Sequence, residues 1–153
     1  MMCWKCGSEM EGSRETITYD DCGVPGIVLE GVNVYRCAEC GESGTAIAHT
    51  EALHEQIAHS LARRPGRLGP QEIRFLREWL GYSSKEFAKI FKVDKSTVSR
   101  WERVDAPKPI GPRSELLLRG LVLTGKPLEA ELDEVPPALH FVPSDHGWKF
   151  KAA

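Results

Sequence analysis

At 153 residues, 41% hydrophobic and 27% charged, the chain has room for one domain or two small ones and the balance of a folded soluble protein. No apolar run reaches the roughly 18 residues a membrane helix needs, and no basic-then-apolar leader precedes Cys3, so a cytoplasmic location is expected. The formal charge of −2 hides an uneven distribution: residues 1–62 carry 3 Lys/Arg against 10 Asp/Glu, residues 63–119 carry 14 against 7, and residues 120–153 carry 3 against 5. A basic middle between acidic flanks is an electrostatic footprint for phosphate.

The chain begins with Cys3-Trp4-Lys5-Cys6-Gly7, and the same pattern returns as Cys37-Ala38-Glu39-Cys40-Gly41. Two cysteines two residues apart wrap one side of a metal ion, and a second pair completes a tetrahedron of thiolates. Each glycine follows its knuckle where a sharp turn favours positive φ. The 30 residues between the pairs leave room for a β-hairpin or three short strands. Glu15-Thr16-Ile17-Thr18-Tyr19 and the run from Gly31 to Arg36 alternate and are rich in strand formers, with turn residues from Asp20 to Gly26 between them. So little apolar content predicts a ribbon that unfolds without its metal. Thiolates accept zinc or iron, and zinc is the expected ion. Cys22 reads as an incidental thiol in a turn.

Residues 49–63 read as a helix, with Ala52, Leu53, Ile57, Ala58 and Leu61 at helical spacing and Thr50 as its N-cap. His49, His54 and His59 are spaced by five, which puts them on drifting faces and predicts surface or packing roles, not chelation. Arg63-Arg64-Pro65-Gly66-Arg67 looks like a linker. Helices follow at Pro70–Leu80, Ser84–Phe91, Lys95–Arg103 and Arg113–Leu123. The tail after Gly125 leaves a strand, a docked arm and disorder all open.

Within this run, residues 83–102 satisfy a helix-turn-helix. Phe87, Phe91, Val93, Val98 and Trp101 fall where two helices bury apolar groups, Ala88 falls at their close crossing, and Asp94 and Ser83 or Ser84 fall at capping positions. Lys95, Ser96, Ser99 and Arg100 then point outward, as a recognition helix requires in the major groove. Arg100 suits the O6 and N7 of guanine, and Ser96 and Ser99 are short partners for bases or phosphate. Lys92, Lys95 and Thr97 suit the phosphate backbone. Lys92 occupies a turn position that is often glycine because the backbone there tends to be left-handed. The leucine-rich run from Leu116 to Leu123 is wider than one core-facing stripe, which favours a dimer interface.

These residues carry a resemblance. Residues 69–123 resemble the Cro/CI-type (XRE) helix-turn-helix domain, with Ser96-Thr97-Val98-Ser99-Arg100-Trp101-Glu102 similar to its recognition-helix signature. Gly31-Val32-Asn33-Val34-Tyr35-Arg36-Cys37-Ala38-Glu39-Cys40-Gly41-Glu42 resembles the second knuckle of the YgiT-type zinc finger. In this order the two are similar to the MqsA antitoxin family over about residues 1–123. The resemblance implies a dimeric repressor, one zinc held by Cys3, Cys6, Cys37 and Cys40, and an N-terminal domain that masks a ribonuclease toxin. In that family an asparagine and an arginine on the recognition helix read bases. Ser96 and Arg100 stand at those positions, which implies a different operator.

The expected fold is α+β: a small β-rich zinc ribbon (1–48), a helix and basic linker (49–68), an all-α, lambda-repressor-like helix-turn-helix domain (69–125) and an unassigned tail (126–153). The expected function is repression through a palindromic operator on double-stranded DNA, as the autoregulating antitoxin of a toxin–antitoxin operon. The alternatives are a zinc-ribbon interaction module or a stand-alone regulator without a toxin. No activated nucleophile, paired-carboxylate motif or phosphate loop is present, so catalysis is not expected.

Overall fold

A computed structural model of the chain describes residues 1–123 and 139–151. The fold is α+β, a β-rich N-terminal region with a four-cysteine cluster followed by a helical domain. It divides into a sheet unit, made of Met1–Tyr19, Gly26–Leu53 and the C-terminal strands, and a helical unit, whose described residues are Asp20–Pro25 and those from His54 to Leu123.

In the sheet unit, β1 (Met10–Thr18) and β2 (Ile27–Cys37) form an antiparallel hairpin running from Met10↔Cys37 to Thr18↔Val28. The buried set along β2 changes phase, from Ile27 and Leu29 to Val32 and Val34. A bulge causes the change: Glu15 faces Val32 while Ile17 faces Leu29, so one residue of β1 opposes Glu30 and Gly31. Gly31 takes a φ of 73°, which glycine adopts without strain. Beyond the bulge, β3 (Ser43–Ala46) pairs antiparallel with Asn33–Arg36. Before it, β4 (Leu139–Ser144) pairs parallel with Ile27–Leu29 and turns back into β5 (Gly147–Lys151).

Of the forms left open for the tail, residues 139–151 take the strand; the rest of the tail, residues 126–138 and 152–153, lies outside the described residues. A parallel pair needs a crossover of a dozen or more residues, and here the chain of the helical unit supplies it. Leu139, Phe141 and Trp148 join Ile27 and Leu29 among the buried residues, so this sheet holds more apolar core than the ribbon segment does by itself.

The helical unit contains α1 (Thr50–Arg63, whose first turn belongs to the sheet unit), α2 (Pro70–Trp79), α3 (Ser84–Phe91), α4 (Lys95–Trp101) and α5 (Pro112–Val122). Leu53, Ile57, Ala58 and Leu61 are fully buried, as their spacing predicts. Pro70 starts α2 at a position that needs no N–H donor, and Glu72 reaches back 2.8 Å to the Gly69 N–H. His54 and His59 pack edge-on against Phe75 and Trp79, while His49 precedes α1 with a left-handed φ of 55°.

The basic stretch after α1 is held in place. Arg119, 1% exposed, donates to the carbonyls of Arg64 and Gly66 at 2.6 Å each and pairs with Glu115 at 2.9 Å. Its guanidinium also approaches the Leu61 and Ala62 carbonyls, so it satisfies acceptors that the end of α1 leaves unpaired. Arg64 binds Glu72 and Arg67 binds Glu115, each at 2.7 Å. These arginines therefore serve the fold of the unit.

Candidate metal centre and nucleic-acid interface

The two cysteine knuckles repeat each other bond for bond. The Cys3 N–H donates to the Ser8 carbonyl and the Cys37 N–H to the Glu42 carbonyl, both at 2.8 Å. The Gly7 and Gly41 N–H groups donate to the Cys3 and Cys37 carbonyls at 2.9 and 3.0 Å. Gly7 and Gly41 take φ values of 77° and 73°, the left-handed turn expected after each knuckle. The hairpin register Met10↔Cys37 then brings the knuckles to the same end of the sheet.

All four Sγ atoms lie within 4.8 Å of one another, with Cys3–Cys40 at 3.6 Å and Cys6–Cys37 at 3.4 Å, and none is in a disulfide. A tetrahedral ion with metal–sulfur bonds of ~2.3 Å needs edges of about 3.8 Å, so the set fits one metal ion. The electrostatics agree. The Ser8 hydroxyl and backbone N–H bond Cys6 and hold its thiol down at about 6. The Glu42 N–H acts likewise on Cys40, but lost solvation and the other thiols push that group up to about 12. Thiols this close cannot all ionise unless a cation compensates their charge.

Bracing residues around the centre had no sequence signal. Gly12, Tyr35 and Gly44 form one row across β1, β2 and β3. A Cβ at Gly12 would fall 2.8 Å from Tyr35 Cε1, and one at Gly44 would fall 2.7 Å from Trp4 Cη2. Glycine at both sites lets the rings lie on the sheet, and Trp4 thereby ties the first knuckle to β3.

In the helical unit, α3 begins with a reciprocal cap: the Glu86 N–H donates to Ser83 Oγ at 3.2 Å and the Ser83 N–H to Glu86 Oε2 at 2.8 Å. Lys92 ends it in the left-handed region, φ 52° and ψ 47°, at the turn position where glycine is common. Asp94 sits at the N-cap of α4, but its side chain makes no capping hydrogen bond, contrary to expectation. Phe87 and Phe91 meet with tilted rings 4.4 Å apart, Trp101 meets Phe91 edge-on at 5.9 Å, and Val98 is fully buried. Ala88 is buried, and its carbonyl receives the Val93 N–H as the chain turns.

With that face turned inward, α4 exposes Lys95, Ser96, Ser99 and Arg100; Lys92 is exposed in the turn, and Thr97 is half-buried. Among the described residues, none of Lys92, Lys95 and Arg100 is in an ion pair. Ser99 donates its hydroxyl to the Lys95 carbonyl at 3.2 Å, which leaves its lone pairs outward. The chain after α4 folds back, and the Lys108 N–H closes on the Arg100 carbonyl at 3.0 Å, a partner with no sequence signal.

Residues 73–108 match the helix-turn-helix family, in its XRE-type form. The match supports a DNA-binding transcription regulator directed at double-stranded DNA. No curated protein and no solved structure matches the chain significantly. Among the described residues, no helix is long and apolar enough to cross a membrane.

Proposed function

We propose that the protein is a zinc-stabilised, cytoplasmic repressor that binds a palindromic operator as a homodimer. It acts as the antitoxin of a toxin–antitoxin operon whose promoter it controls, and its ribbon holds the ribonuclease toxin. The observation that carries the reading is α4 itself, packed through Val98 and Trp101 while Arg100 and Lys95 stay exposed and free of ion pairs among the described residues. Arg100 reads a guanine edge, Ser96 and Ser99 contact bases or phosphate, and Lys92, Lys95 and Thr97 hold phosphates.

Leu116 and Leu117, 53% and 43% exposed on α5, support a self-association surface. Cys3, Cys6, Cys37 and Cys40 hold one zinc ion, whose chemistry there is structural: it compensates the thiolate charge and closes the knuckles.

A gel-shift titration against the protein's own promoter, beside scrambled DNA at ~0.15 M salt, tests the repressor reading. Promoter binding at least ~10³-fold tighter supports it. Equal, steeply salt-dependent binding to both would reduce the domain to a phosphate-seeking face. Co-purification with the product of the adjacent reading frame tests the antitoxin role separately.

A further inference from the structure

The sheet unit contains a second feature that neither the metal centre nor DNA binding uses. Because β2 bulges at Glu30–Gly31, its outer partners diverge: β4 accompanies it only to Leu29, and β3 only from Asn33. Residues 30–32 pair with neither of them, and a cleft of about 610 Å³ opens at the fork. That volume lies within the ~300–1,000 Å³ of small-molecule sites, and bulges are enriched beside such sites.

The lining is apolar at its base and charged at its sides. Ala46, Ala48 and Pro143, all exposed, supply apolar surface above the buried Val32 and Trp148. The Trp148 indole N–H is already taken by the Ala48 carbonyl at 2.6 Å, which holds the buried ring beneath the cleft. Arg14, register partner of Asn33, lines the cleft from β1, and Asp145 lines it from the β4–β5 turn, so the two stand on either side of β2. Among the described residues, neither is in an ion pair. Glu30 also faces the cleft, but Lys151 at 2.6 Å and His140 at 3.5 Å engage its carboxylate. At the rim stands His49 with its left-handed φ of 55°, backbone strain of the kind that collects at functional sites.

We propose that this cleft binds a free α-amino acid. A simple anion would meet Asp145, and a simple cation would meet Arg14. A compact molecule carrying both charges satisfies both: its carboxylate bonds the Arg14 guanidinium, its ammonium bonds Asp145, and its side chain rests on Ala46, Ala48 and Pro143. The site goes beyond the repressor reading and does not depend on it.

The test is calorimetric titration of the full-length, metal-loaded protein with each standard amino acid. Any binder is then repeated as its N-acetyl and decarboxylated forms. A dissociation constant below about 1 mM is expected for at least one amino acid, weakened at least about tenfold by either modification and by Arg14→Ala or Asp145→Ala. Both substitutions are at exposed positions, and the modified ligands report on the unaltered protein. No heat with any amino acid would overturn the proposal, as would a binder indifferent to acetylation, decarboxylation and both substitutions.

Discussion

Arg77 of α2 grips Glu102, the residue that ends α4, through two nearly buried hydrogen bonds of 2.6 and 3.1 Å. The same guanidinium holds the Tyr82 carbonyl at 2.8 Å, at the turn into α3. One side chain thus fixes the end of the recognition helix relative to the helix before the motif. The pairing with Glu102 raises the Arg77 pKa further. Glu102→Ala leaves the guanidinium with only the Tyr82 carbonyl and the more exposed Glu78 carboxylate, and its expected cost is about 1.5–3 kcal/mol, read as a fall in denaturant midpoint. Operator affinity should fall as well, although Glu102 touches no DNA in the proposed complex.

Arg100→Ala removes the proposed guanine reader while leaving the packed face of α4 intact. Operator binding should weaken by ~1–3 kcal/mol, with discrimination relaxed at one base pair and the thermal midpoint unchanged. An unaltered footprint on the promoter would remove Arg100 from base recognition.

Lys92→Gly separates strain from contact. A non-glycine residue at φ 52° costs about 1 kcal/mol, so the variant should be more stable by that amount in a denaturant titration. It should also lose one phosphate contact, lowering the slope of log K against log salt by about 1. A stability gain with an unchanged slope would keep the conformational argument and discard the DNA contact.

Metal removal should act locally. The metal end has its own small core of Cys3, Met10 and Cys37 with Tyr35 and Cys40 against it, too little apolar surface to persist without the ion. The rest of the sheet is built on Ile27, Leu29, Phe141 and Trp148. Chelation, or Cys37→Ser, should therefore abolish hydrogen-exchange protection in both knuckles while Leu29 and Phe141 stay protected. Uniform loss across the sheet and the helices would show one cooperative unit instead.

The Glu15–Arg36 cross-strand pair predicts a pH response. Hydrogen bonds from Arg36, then from Ser13, lower the Glu15 carboxyl from the ordinary 4.5 to about 2. A carboxyl with a depressed folded-state pKa contributes stability above its unfolded value and loses it as pH falls from about 4.5 through about 2. An NMR titration should find Glu15 ionising near the lower figure, and Arg36→Ala should return it toward the ordinary one.

Local chemistry made much of this protein legible in its sequence. Cys-x-x-Cys-Gly encodes a knuckle because its turn and its ligands sit within five residues, and both copies fold that way. The boundaries of α3 coincide with expectation because Ser83 and Glu86 form a cap whose signal is contiguous. The outward set on α4 followed from helical geometry once Val98 and Trp101 were assigned to the core.

Tertiary structure decided what depends on distant partners. Leu139–Ser144 is a short run interrupted by His140 and Pro143, and as a strand it pairs with the adjacent β5 on one side and on the other with Ile27–Leu29, an edge more than a hundred residues earlier. Arg119 reads as one more cation in a basic segment, yet it is buried against carbonyls over fifty residues upstream. The cleft at the fork was equally invisible, since it arises from two strands parting around a bulge and no single segment contains it. Turn, cap and helix-face preferences act over a few residues and are written in local order. Strand pairing and buried charge are set by whichever groups the folded chain brings within a few ångströms, and sequence spacing does not encode that meeting.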